Sequence, residues 1–375
     1  MTWPGTDPSW LPDHQLHVVA TLAHVDDIVE RAARLIADYT EAGPLMLGET
    51  VRGDRTDVIV RGIAPLPAMI PRLVADALTQ LRAALEHSLY SEIEHLLGRP
   101  LAGPEERCIE VPATVTPEAF DRWLADRRRR TLPPLDAAGP LAGRLRMLQP
   151  FQQEDTETHP LRLLAEHTNL VKHRMPAIAT TRLGAVYPDQ PHPGIEVAAP
   201  LEPGTRRSIA MEPGDILASA PRGERAYLNI VPTVALQRPH TGEWIVTVHE
   251  LGRLEKWVRT TAVPTLITGH GQMPALRPHL DITTGHVDLR QAAAAAGSTP
   301  AAERATLRIA STMARHDLVD LISRCPGSPD QRALEAWTES LADHEVVERI
   351  TGFQAAAPMV TLVTLVAEAL AHASR

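Results

Sequence analysis

Arg162, Glu166, Asn169 and His173 are spaced by four, three and four residues between Pro160 and Arg174, so a helix there carries them as one polar stripe. A cation, a carboxylate, an amide and an imidazole on one line suit anion binding and proton transfer. The same four types also make an ordinary solvated face. Arg162 and Glu166 match an i,i+4 ion pair, and Lys172, His173 and Arg174 suit a last helical turn, where cations meet free carbonyls before Met175-Pro176. A second helix carries Arg82 and His87. On a wheel centred on Val74, Leu78, Leu81, Leu85, Leu89, Ile93 and Leu96, His87 lies opposite the apolar stripe with Asp76, Ala83 and Glu94, outside the local core. The polar faces of the two helices are expected to meet, with His87 near Asn169 or His173.

Arg82 to His87 and Arg162 to His167 each separate Arg from His by four residues, a spacing that resembles the ribonuclease motif of HEPN domains. That resemblance implies metal-independent RNA cleavage by a homodimer: an imidazole takes the proton of a ribose 2′-hydroxyl and guanidinium charge stabilises the phosphorane. His87, His173, Arg82, Arg162 and Asn169 are the catalytic candidates, and Glu166, Lys172 and Arg174 the binding ones. No cofactor or metal is implied. A further resemblance covers about residues 13–175, through Leu81-Arg-Ala-Ala-Leu-Glu-His-Ser-Leu-Tyr90, Leu148-Gln-Pro-Phe151 and Asn169-Leu-Val-Lys-His-Arg174. Together they resemble an uncharacterised bacterial family of helical proteins, whose pattern has Asp where this chain has Glu86 and Val171. The first change keeps a carboxylate and the second removes one. That family implies a fold but no activity.

Other chemistries lack their signatures. Glu92-Ile-Glu-His95 is a single Glu-x-x-His, whereas a di-iron bundle needs two and further carboxylates, and there is no His-Glu-x-x-His, glycine-rich phosphate loop or Gly-x-Ser-x-Gly elbow. A net charge of −9 argues against a general nucleic-acid coat protein, leaving Arg127 to Arg130 as the one basic run. Cys108 and Cys325 fit no zinc or CxxC pattern, and the first residues lack the features of a signal peptide. The apolar stretch Ala355 to Ala367 is shorter than the roughly 20 residues a bilayer span needs. A cytoplasmic protein without a membrane segment is expected.

The elements that must position the candidates follow from periodicity and punctuation. A helix over about 13–42 ends at Gly43-Pro44; a β-hairpin over 45–63 turns at Gly53-Asp54; a long helix starts at Pro71 and stops at Gly98-Arg-Pro100; Thr116-Pro117-Glu118 caps another. Short β-rich runs such as Arg225 to Val231 and Trp244 to His249 follow Pro176. The expected fold is α+β, divided into a HEPN-like helical domain with a hairpin (1–175), a β-rich domain (176–264), a linker (265–299) and a small helical module (300–375). Leu307, Leu318, Leu321, Trp337, Leu341, Val346, Ile350 and Leu362 are the expected core of that module. Its size suits docking of a protein partner, so a non-enzymatic interaction or regulatory protein stands beside the ribonuclease.

Overall fold

A computed structural model describes residues 7–126, 131–173, 177–188, 192–197, 208–224, 227–271, 273–355 and 358–374. The chain is α+β and divides into two units, Met1–Ala302 and Glu303–Arg375.

In the first unit, α1 (His17–Glu41) buries Val18, Leu22, Val25, Val29 and Ile36 along one face and ends at Gly43, whose φ of 71° is open to glycine at little cost. Strands β1 (Leu45–Arg52) and β2 (Arg55–Ile63) form the hairpin, turning on Gly53 with φ 66°. In α2 (Met69–Leu97), Val74, Leu78, Leu81, Leu85, Leu89 and Ile93 are all fully buried, while Leu96 emerges from the core. Short helices α3 (Gly103–Glu106), α4 (Pro117–Leu124) and α5 (Pro140–Met147) lead to α6 (Pro160–His173). The Thr116 hydroxyl accepts from Ala119 N–H at the start of α4, as its cap signature predicts.

Strands β3 (Ala179–Pro188), β4 (Glu196–Val197), β5 (Ile216–Pro221), β6 (Leu228–Gln237) and β7 (Trp244–Val246) complete two sheets, ordered β1-β2-β5-β4 and β3-β6-β7. The hairpin is therefore completed by a strand from the middle of the chain, with Thr56 opposite Ala220 and Asp57 opposite Ser219. Val60, Leu183, Val186, Met211 and Leu217 join both sheets in one apolar cluster. Residues 176–264 are not a separate β domain. Their strands bury their apolar faces against the hairpin, and α7 (Thr247–Trp257) and α8 (Val263–Thr268) pack on α2. Between those helices Val258–Ala262 forms a π turn, one residue ahead of Pro264, which has no N–H to continue the α-helical ladder.

The stretch 265–299 is not a free linker either. It holds α9 (Leu289–Ala295) and buries Ala275, Leu276 and Leu280; Trp10 Nε1 donates to Pro274 O, Arg277 to Ala296 O, and Arg290 to Pro8 O and Asp13. Missing periodicity marked irregular backbone there, and irregular backbone can still be anchored by side chains reaching its carbonyls. Residues 281–288 are its longest exposed run.

The second unit contains most of α10 (Ala301–Ser323), then α11 (Gln331–Ser340), α12 (Asp343–Ala355) and α13 (Pro358–Ala373). Ala314, Leu318, Ile322, Leu334, Trp337, Val346, Leu365 and Ala369 are its core, with Leu341 and Ile350 packed against it. Ile322 rather than its neighbour Leu321 is fully buried, and Leu307 and Leu362 are half-buried. Arg315 donates to the carbonyls of Thr338 and Leu341 at the end of α11 and pairs with Asp343. Cys108 and Cys325 are free thiols. Among the described residues no helix is long and apolar enough to cross a membrane.

Candidate functional site

The polar side of α2 is built around Glu92, whose side chain is 5% exposed. A 3-10 turn over Asp13–Gln15 leads into α1 and sets two side chains against it. His14 Nε2 lies 2.7 Å from Glu92 Oε1, and Gln15 Nε2 donates to the same oxygen and to Ser88 O, both at 2.9 Å. Arg144, from α5, reaches Glu92 Oε2 at 3.2 Å while donating to the last carbonyls of α8, Leu266 O at 2.9 Å and Ile267 O at 2.7 Å. A carboxylate with this many charged and polar partners is fixed in place. It therefore fixes the His14 ring.

One turn beyond Glu92, the His95 ring stacks on His14 with centroids 4.0 Å apart and an 8° interplanar angle. Two turns back, His87 faces His17 at 6.4 Å. Loss of hydration, with repulsion from His87 and His14, holds the His17 imidazole below its ordinary value. Four histidines thus form two pairs along the seam between α2 and the start of α1. His14, Ser91, Glu94, His95, Gly98, Arg99 and Pro100 line an open groove of about 390 Å³ at its end.

His87 is exposed, as its wheel position predicts, but its ring neighbour belongs to α1. Among the described residues no hydrogen bond or ion pair links it to Asn169 or His173. Arg82 pairs with Glu86 at 2.6 Å and donates to Val111 O, and Glu86 accepts from Val111 N–H at 2.8 Å. Burial pushes the Glu86 carboxyl above its usual range despite the Arg82 charge. Arg162 is bound to Glu157 rather than to Glu166. Glu166 is half-buried, Asn169, Lys172 and His173 are exposed, and Arg174 lies outside the described residues. α2 and α6 pack on each other, but within each Arg-x4-His segment five residues turn the helix through about 500°, leaving the Arg and His side chains roughly 140° apart. Arg82 meets Val111 while His87 meets α1, and Arg162 meets Glu157 while His167 is buried on another side of α6.

His167 belongs to a second polar group that periodicity did not disclose. It lies with Arg238 and His240, from the end of β6 and the connection to β7, and with Glu250 of α7, whose carboxylate binds Arg238 at 2.8 and 3.1 Å and Arg253 at 3.1 Å. Burial pushes the Glu250 carboxyl up, but the two guanidinium groups outweigh it and hold it below its usual range. Burial also takes His167 down to about 4. The only sequence signal for the first group was Glu92-x-x-His95, read as an incomplete metal motif. Among the described residues no three His, Cys, Asp or Glu side chains converge as metal ligands.

The Leu148-Gln-Pro-Phe151 segment has a structural role. Gln149 is fully buried, accepting from Thr114 N–H and Oγ1–H and donating to Pro112 O and Leu145 O, all within 2.9–3.0 Å. Replacing Gln149 by Leu strands these groups and is expected to cost on the order of 3 kcal/mol in urea unfolding. A cost below about 1 kcal/mol would show the network to be dispensable. No protein-family model, curated protein or solved structure matches the chain.

Proposed function

We propose that the chain is a ribonuclease acting by general acid–base catalysis at the α2 groove, with His14 and His95 as its proton-transfer pair. The observation that carries this reading is the buried Glu92 carboxylate bonded to His14, with His95 stacked on that ring at the groove. His14, oriented by Glu92, takes the 2′-hydroxyl proton; the freed oxygen attacks phosphorus; His95 returns a proton to the departing 5′-oxygen. Arg99 supplies the groove's guanidinium for the phosphorane and is held ready by Glu105 at 2.8 and 2.9 Å. This keeps the reaction implied by the HEPN-like segments and moves it to other histidines. His87 stands two turns away with His17, and Arg82, Arg162, Asn169 and His173 take no part.

Single-stranded RNA incubated with the protein and excess chelator should yield 2′,3′-cyclic phosphate ends. His14→Ala and His95→Ala should each slow cleavage by about 100-fold or more, with the thermal midpoint kept within a few degrees. Wild-type protein that leaves RNA intact, or a His14→Ala protein as active as the wild type, would end this reading. A second reading, an interaction protein docking through its C-terminal helices, is supported by Ile309, Met313, Val363 and Leu370, which are 42–65% exposed on the second unit.

A further inference from the structure

The face joining α6 to α7 contains two buried imidazoles. His167 is fully buried, and neither ring nitrogen has a hydrogen-bond partner among the described residues. His159, immediately before α6, is 3% exposed and stands edge-on to Trp257 of α7 with centroids 5.5 Å apart; its Nδ1 accepts from Leu161 N–H at 3.2 Å. The charged groups acting on these rings come from α7 and from the connection after β6. Glu250, Arg238 and His240 act on His167, and Arg253 acts on His159; none comes from α2. Glu250 is the one attractive charge, and both its oxygens already accept from Arg238 and Arg253. The chain just before α6 is tied to the same group, since His240 Nε2 meets Glu157 O at 2.8 Å and Arg253 donates to Thr158 O at 3.0 Å. A proton on either ring meets a guanidinium and finds no uncommitted acceptor.

We propose that this face is an acid-sensitive latch, in which protonation of His167 and His159 releases α6 from α7. Docking requires both rings neutral, because burial, joined at His159 by the Arg253 charge, takes each from 6.5 to about 4. Once α6 is released the rings return to water and bind protons near 6.5. Docking is therefore at full strength above the released value and weakens as pH falls between 6.5 and about 4, by up to tenfold per pH unit for each histidine. Over that window each ring shifts the docked-to-released ratio by about 300-fold. The latch stands independently of the groove chemistry.

The test is hydrogen exchange of the full chain at a series of pH values from 7.5 down to about 4.5, corrected for the intrinsic rate. Peptides covering 160–173 should lose protection as pH falls while those covering 17–41 and 69–97 keep theirs. In the double variant His159→Phe, His167→Leu, α6 should stay protected throughout. If that variant does not fold, His159→Phe alone decides, with its opening midpoint expected at lower pH than in the wild type. Loss of protection in α6 and α2 together, an α6 protected to the lowest pH, or a variant that opens at the wild-type midpoint would each overturn the latch.

Discussion

Arg259→Met is expected to destabilise the first unit by about 3–5 kcal/mol, because it removes one partner of a fully buried ion pair. Among the described residues Arg259 is the largest fully buried side chain. The π turn carries it inward, where its Nη2 donates to Glu255 Oε1 at 2.7 Å and to Leu22 O of α1 at 2.9 Å. Methionine fills much of the same volume but takes the Arg259 charge away from the Glu255 carboxylate, which is 1% exposed. The desolvation penalty then stands without the attraction that offset it. Replacing Glu255 by Met as well should recover most of the loss, since no buried charge remains unpaired. Urea titrations of both single variants and the double variant measure this. A single variant within about 1 kcal/mol of wild type, or a double variant no better than Arg259→Met, would show that the pair does not secure this junction.

Glu250→Ala should have an effect of similar size, about 3–5 kcal/mol, for a complementary reason. One carboxylate serves two guanidinium groups, and Arg238, 6% exposed, would keep only Glu243. The pH dependence separates this contribution from that of the histidines. A carboxyl held below its unfolded value of 4.5 contributes stability that is present above that value and is lost as pH falls through the lower folded one. The histidine contribution is already fading from 6.5 downward. Acid unfolding of the wild type should therefore show a shallow loss of stability from about pH 6.5 and a further loss below about 4.5. Glu250→Ala should be less stable at pH 7 and should lack its share of the second decline. Equal stability of variant and wild type at neutral pH would remove Glu250 from this role.

The candidate site was legible only in fragments. His87 could be assigned to the outside of α2 from its wheel position, because a helical stripe of six buried side chains fixes what lies opposite it. Its partner could not be assigned. His14 and Glu92 are 78 positions apart, and Arg144 is 52 from Glu92, so no window of helical length contains them together. Arg162, Glu166, Asn169 and His173 share one face of α6, yet the buried polar side chains of that helix are His167 and Thr168, away from that stripe.

By itself the sequence determined the elements whose causes are local. The spacing of Val74 to Ile93 made α2, Gly53-Asp54 made the hairpin turn, and Thr116-Pro117 started α4, because backbone torsions respond to near neighbours. Only the tertiary structure decided that the hairpin takes β5 as its third strand, that 265–299 is anchored over the start of the chain, and that His14, Glu92 and Arg144 share one site. These pairings depend on which faces the packed core brings within hydrogen-bond reach. A charged or aromatic residue has the same local sequence whether its partner waits across the core or it faces water, and burial of the apolar stripes selects between the two.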